Sequence, residues 1–126
     1  MAQLEDVPDS DPLPPAAAVS ISFEARSALI RLSGEVDLTL REGLEFAAQE
    51  AILRSVPVTV DLSSVTFIDS AGVAFLATLV RAVADSGWRP AIIGPSQLVL
   101  DTLTVSGLLP VLDVLTTSRR TVTNGC

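Results

Sequence analysis

The chain has 126 residues, 48% of them hydrophobic and 18% charged, which is enough for one compact core and excludes an intrinsically disordered chain. It has no His, no Tyr and no Lys, its eight basic residues are all Arg, and its one cysteine is Cys126; His-dependent catalytic triads, His-ligated metals, Walker-type phosphate loops, Schiff bases, internal disulfides and zinc clusters are thereby excluded. A net charge of −7 argues against nucleic acid and anionic membrane surfaces as partners.

Residues 1–17 carry Pro8, Pro12, Pro14 and Pro15 among Glu5, Asp6, Asp9 and Asp11, and read as a flexible acidic leader rather than a signal peptide. From there Val19, Ile21 and Phe23 alternate with polar residues as a half-buried strand does, and Ala28, Ile30 and Leu32 repeat the pattern after a break at Arg26-Ser27. A hairpin is expected, with its turn type open. The period then becomes helical: Leu44, Ala47, Ala48, Ala51 and Ile52 form one apolar face, and Thr39 with Glu42 has the spacing of a capping box. Pro57 ends that helix.

Val58, Val60 and Leu62 predict a short strand, followed by Ser63, Ser64 and Thr66 as polar loop residues. A second helix fits from about Ala71 to Asp85, stopped by Gly87. Ala91-Ile92-Ile93 is a third parallel candidate, and Ser96 caps a third helix that stops at Gly107, with Leu108 packing back on Leu103. Val111–Val114 makes a last strand, and residues 116–126 are a polar tail. The longest apolar stretch, Ala71–Val80, is too short to span a bilayer, and the default address is the cytoplasm. The order β-β-α-β-α-β-α-β predicts a single α/β domain at residues 18–115, a mostly parallel mixed sheet flanked by helices.

The informative stretch is Val58-Thr59-Val60-Asp61-Leu62 followed by Phe67-Ile68-Asp69-Ser70-Ala71-Gly72-Val73, a strand leading to a hydroxyl at a helix start. A nucleophile elbow needs Gly-x-Ser-x-Gly and a His base, and phosphate loops need closely spaced glycines; neither is present. Ser70 then either caps the helix or serves as a regulatory phosphoacceptor, where the helix dipole tolerates the added charge. Asp69 either orients that hydroxyl or is a plain loop acid, Asp61 bonds backbone at a strand end, and Trp88 covers the sheet edge. Cys126 reads as an unpaired thiol.

Leu32-Ser33-Gly34-Glu35-Val36-Asp37, Val60-Asp61-Leu62-Ser63-Ser64-Val65-Thr66-Phe67-Ile68-Asp69-Ser70-Ala71-Gly72 and Val105-Ser106-Gly107-Leu108, in that order, resemble STAS domains, and most closely the bacterial anti-sigma factor antagonists. The resemblance runs from about Val19 to Leu115. It implies a STAS fold and a regulator that is not an enzyme, with no catalytic residue, cofactor or metal. It implies an anti-sigma factor partner, itself an ATP-using serine kinase, that phosphorylates Ser70 and so ends the complex, and a phosphatase that restores it. Asp37, Asp69, Ser70, Ala71, Gly72 and Val73 are the implied partner-binding residues. Two features depart from the family: Ala71 stands where Ser is frequent, leaving Ser70 as the hydroxyl of the motif, and Thr116–Thr123 is a poor match for an amphipathic last helix. The alternative is a STAS module that senses a small molecule or serves a transporter or stress-signalling assembly.

Overall fold

A computed structural model describes residues 17–115, in which five strands form one sheet in chain order: β1 (Ala18–Glu24), β2 (Ser27–Val36), β3 (Val58–Ile68), β4 (Ala91–Ile93) and β5 (Asp113–Leu115). The leader expected over residues 1–17 (apart from Ala17) and the tail with Cys126 lie outside the described residues. β1 pairs antiparallel with β2 as the expected hairpin, and every later pair is parallel. The crossovers are α1 (Arg41–Arg54), α2 (Ser70–Ala82) and α3 (Gln97–Val105), with 3-10 turns at Leu38–Leu40 and Leu109–Val111. This is the mixed α/β architecture that the element order predicts. No helix of the described residues is long and apolar enough to cross a membrane.

Strands in chain order, joined by right-handed crossovers, put every helix on the same side of the sheet. The burial agrees: Leu44 of α1, Leu76 of α2 and Leu103 of α3 join one core with Ile30, Val60 and Ile92 from the inward positions of β2, β3 and β4.

Several boundaries differ from the sequence reading, each for a local reason. β3 runs on to Ile68 because its ladder with β2 resumes after two register shifts, pairing Ser33 with Ser64 and Val36 with Ile68. Ser63, Ser64 and Thr66 are therefore strand residues, not a loop. Helix α1 stops before Pro57, at Ser55, which takes a left-handed φ of 54° while its N–H bonds the Ile52 carbonyl at 3.1 Å. Helix α2 ends at Ala82, short of the expected Asp85, and the chain reverses through Gly87 at φ 89°. The last strand starts at Asp113 because Leu109–Val111 forms a 3-10 turn. The ends of α3 follow expectation: Ser96 Oγ accepts from Val99 N–H at 3.2 Å, and Leu108 N–H reaches back to the Leu103 carbonyl at 3.1 Å.

Gly72 is buried where the first turn of α2 crosses the ends of β2 and β3. A Cβ there collides with Ile68 Cγ1, stands 2.7 Å from Ile68 Cδ1 and 3.0 Å from Val36 Cγ1, all in the core. Gly43, on the exposed side of α1, meets only Val19, at 3.4 Å. Gly72→Ala should thus destabilise the domain by about 1–3 kcal/mol through overpacking. Gly43→Ala should stabilise it by up to about 1 kcal/mol through helix propensity. Urea unfolding of the two variants checks the opposite signs.

Candidate functional site

The site is built from two neighbouring strand ends. Val36 closes β2 and Ile68 closes β3, and Asp69 N–H donates to the Val36 carbonyl at 3.0 Å, tying the following loops together. After each strand comes an Asp in extended conformation, Asp37 at φ −131° and Asp69 at φ −112°. An Asp so placed turns its carboxylate onto the next turn's orphan N–H groups.

Asp69 is the cap of α2: its Oδ1 accepts from Ala71 N–H at 2.7 Å. Of the two roles weighed for Ser70, capping is therefore taken by its neighbour, and Ser70 is the first helical residue. Among the described residues the exposed Ser70 hydroxyl has no hydrogen-bond partner. The capping box expected of Thr39 and Glu42 does not form either. Thr39 sits inside the 3-10 turn, and its hydroxyl and its N–H both donate to Asp37 Oδ1, the N–H at 3.0 Å. The residue before α1, Leu40, makes no side-chain cap. The Thr39 hydroxyl, and next its N–H, hold the Asp37 carboxyl below its ordinary value of 3.8.

Ser70 and Asp69 stand where two grooves meet. One, of about 760 Å³, runs between α1 and α2 over Leu44, Ala48, Ala74 and Phe75, with Leu38 and Ile52 on its rim. The other, of about 480 Å³, lies beside α2 and α3 and is lined by Val73, Asp101, Thr102 and Val105. The exposure of these apolar residues is high: 64% for Leu38, 37% for Ile52 and 89% for Val105. Arg41 faces the first groove but is already bonded to Glu45, Nε to Oε2 at 3.0 Å.

Of the six residues expected at a partner surface, Asp69, Ser70 and Ala71 line the first groove, and Asp69, Ser70 and Val73 the second. Asp37 stands beside them on the adjoining strand end, and Gly72 is turned into the core. Sequence reasoning missed Leu38 and Val105, apolar residues set off the core-facing side of their elements, and placed Ile52 in the core. Asp61 bonds Ser63, hydroxyl and N–H, and pairs with Arg31 at 3.7 Å, away from the site. Trp88 is half-buried against the core.

Comparison with known proteins gives a consistent picture. The family model described as "Mlab, STAS domain" matches residues 19–113. No curated protein sequence matches significantly. Among solved structures, the unphosphorylated anti-sigma factor antagonist SpoIIAA is 24% identical, with a TM-score of 0.68 over 79% of this chain and 90% of that one. Bacillus SpoIIAA in its phosphorylated form gives 24%, a TM-score of 0.63, and 79% and 93% coverage. An anti-sigma factor antagonist from Mycobacterium paratuberculosis gives 20%, a TM-score of 0.69, and 79% and 85% coverage. These likenesses show the fold.

Two outcomes follow from the capping pattern. Asp69→Ala should cost about 0.5–2 kcal/mol, the loss of a cap. Ser70→Ala should stay within about 0.5 kcal/mol of the parent, as surface changes do; thermal melts of both rank them. At Asp37 the folded pKa lies below the unfolded one, so its contribution is full above the unfolded value and is lost as pH falls through the folded value. Thr39→Val removes the hydroxyl donor and should raise the Asp37 pKa toward its ordinary value, measured by carboxyl NMR titration.

Proposed function

The chain belongs to the STAS domain family, and from that premise we propose that it is an anti-sigma factor antagonist switched by phosphorylation of Ser70. The observation that carries the reading is the uncommitted, exposed Ser70 hydroxyl on the first helical position between two apolar grooves. In its unphosphorylated form the protein binds an anti-sigma factor, an ATP-using serine kinase, across those grooves and so releases a sigma factor. A phosphatase reverses the modification. This chain's part in the cycle is to bind and to accept the phosphate, and it needs no catalytic group of its own; the kinase and the phosphatase carry the chemistry.

The physics of the switch is local. A phosphate on the first residue of α2 lies at the positive end of the helix, so the fold tolerates it. It adds nearly two negative charges beside Asp69, with Asp101 across the second groove, and Arg41 is taken by Glu45. The charge is therefore felt by the docking partner, which must desolvate it against an apolar surface. Asp37, Asp69, Ala71 and Val73 belong to the same surface. Gly72 serves it from beneath, by letting the first turn sit close to the strands.

A second reading is favoured by one observation: about 760 Å³ is the size of a small-molecule site. A ligand that raises the melting temperature in the absence of any protein partner would support it.

The test of the first reading is calorimetric titration with one anti-sigma factor kinase. Ser70→Ala should bind as tightly as the parent, Ser70→Asp more weakly, and protein phosphorylated at Ser70 most weakly, since carboxylate carries one charge and phosphate nearly two. Mass spectrometry after incubation with ATP and the kinase should place the phosphate on Ser70. Equal affinities for all forms, with that phosphorylation present, would remove the switch.

A further inference from the structure

The two edges of the sheet are unlike. β5 is three residues long and carries the charge of Asp113. β1 is seven residues long, Ala-Val-Ser-Ile-Ser-Phe-Glu, and pairs with β2 over its whole length without a bulge. Among the described residues no strand pairs with its other edge. Edge strands are as a rule guarded by proline, lysine or other charge, by a bulge or by shortness. From Ala18 to Phe23 this strand has none of these.

The strand that fits this edge is β1 itself. The hairpin closes over Ala25 and Arg26, with Glu24 opposite Ser27. In a two-residue hairpin the pair beside the turn is hydrogen-bonded, and bonded and non-bonded pairs alternate from there. Ser22 and Ser20 thus direct their backbone groups to β2, whereas Phe23, Ile21 and Val19 direct theirs to the free edge. Laid antiparallel against itself about Ile21, the sequence matches: Ile21 meets Ile21, Val19 meets Phe23, Ser20 meets Ser22 and Ala18 meets Glu24. The outward-directed groups then pair with one another in about six hydrogen bonds. The apolar pairs fall on the helical face, where these residues already pack against the core, and the exposed serines fall on the other.

Helix α1 extends the match. A Cβ on its Gly43 would stand 3.4 Å from Val19, and its Arg54 guanidinium lies 4.1 Å from the Phe23 ring centre. By helical spacing Phe46, Glu50 and Leu53 share the flank between these two contacts, beside the free edge. Phe46 is 58% exposed and Leu53 79%. A two-fold axis through Ile21, normal to the sheet, brings this flank against its own copy and gives both side chains apolar area to bury. Glu50 on the same flank faces its copy too, a repulsion that salt screens.

We propose that β1 pairs antiparallel with β1 of a second copy, joining two five-stranded sheets into one across a two-fold axis. The groove leading to Ser70 lies on the other flank of α1, at Leu44, Ala48 and Ile52, so it stays open and the dimer does not depend on what Ser70 does.

The exposed serines allow a test of register on the full-length protein in moderate salt. Light scattering should give a mass that rises from one chain to two with concentration. Ser20→Lys with Ser22→Lys sets like charges opposite each other across the axis and should leave the protein monomeric. Ser20→Lys with Ser22→Glu sets opposite charges there and should keep the dimer, while thermal melts show both variants folded. Hydrogen exchange gives a second readout: the amides of Val19, Ile21 and Phe23 should be protected in the dimer and exchange freely in the monomer. A parent that is monomeric at every concentration, a dimer that the double-lysine variant leaves intact, or two variants that are equally monomeric would overturn the proposal. So would protection of those three amides in the monomer, because the chain's own residues would then occupy the edge.

Discussion

The first turn of α2 lies hard against the ends of two strands, and most of the site follows from that approach. Ile68 and Val36 leave no space for a side chain at position 72, so only glycine lets the helix start so close to β3. The same closeness lets Asp69 serve two partners, its N–H bonding the Val36 carbonyl of the neighbouring strand and its carboxylate bonding the Ala71 N–H. Strand pairing and helix initiation are thus joined through one residue. Ser70, the next residue, is turned outward with no role in holding the helix.

Much of this was legible in the sequence, because hydrophobic period and capping residues are local signals. The alternation from Val19 to Leu32, the residues Leu44, Ala47, Ala48 and Ala51 of α1, and both ends of α3 are where their periodicity puts them. The failures share a cause, namely that a linear pattern does not reveal what lies across from a residue. Ser63, Ser64 and Thr66 look like loop residues, yet β3 continues through them because, among the described residues, one face of the sheet has no helix over it and the ladder has two register shifts. Ile52 fits the apolar face of α1 by spacing, but the gap between α1 and α2 leaves it on a groove rim. Gly72 reads as part of a surface motif, whereas the reason for glycine is the side chain of Ile68 beneath it.

The apolar surface around Ser70 also explains why a charge there acts outward. A phosphate captured within its own chain would need unengaged arginines close by. The first groove offers Arg41, already held by Glu45, and the second is lined by Asp69 and Asp101 with no basic side chain. The apolar walls provide area for a partner to bury, while the hydroxyl between them is small and neutral. In the proposed switch, adding charge at that point changes the desolvation cost of docking while leaving the core, on the other side of α2, untouched.

The two strand ends show how small a change separates an available hydroxyl from a committed one. Both use an extended Asp to hold the next turn, and both have a hydroxyl residue close behind it. After Asp37 that residue is two positions on, and the N–H and hydroxyl of Thr39 converge on the same carboxylate oxygen. After Asp69 the residue two positions on is Ala71, which supplies the N–H and has no hydroxyl, while Ser70 is one position on and points away. A serine in place of Ala71 would meet the carboxylate as Thr39 does and compete for it. Alanine there leaves Asp69 wholly to the backbone. The spacing between acid and hydroxyl, two residues in one loop and one in the other, therefore decides which of the two adjoining loops has its hydroxyl engaged and which leaves it exposed.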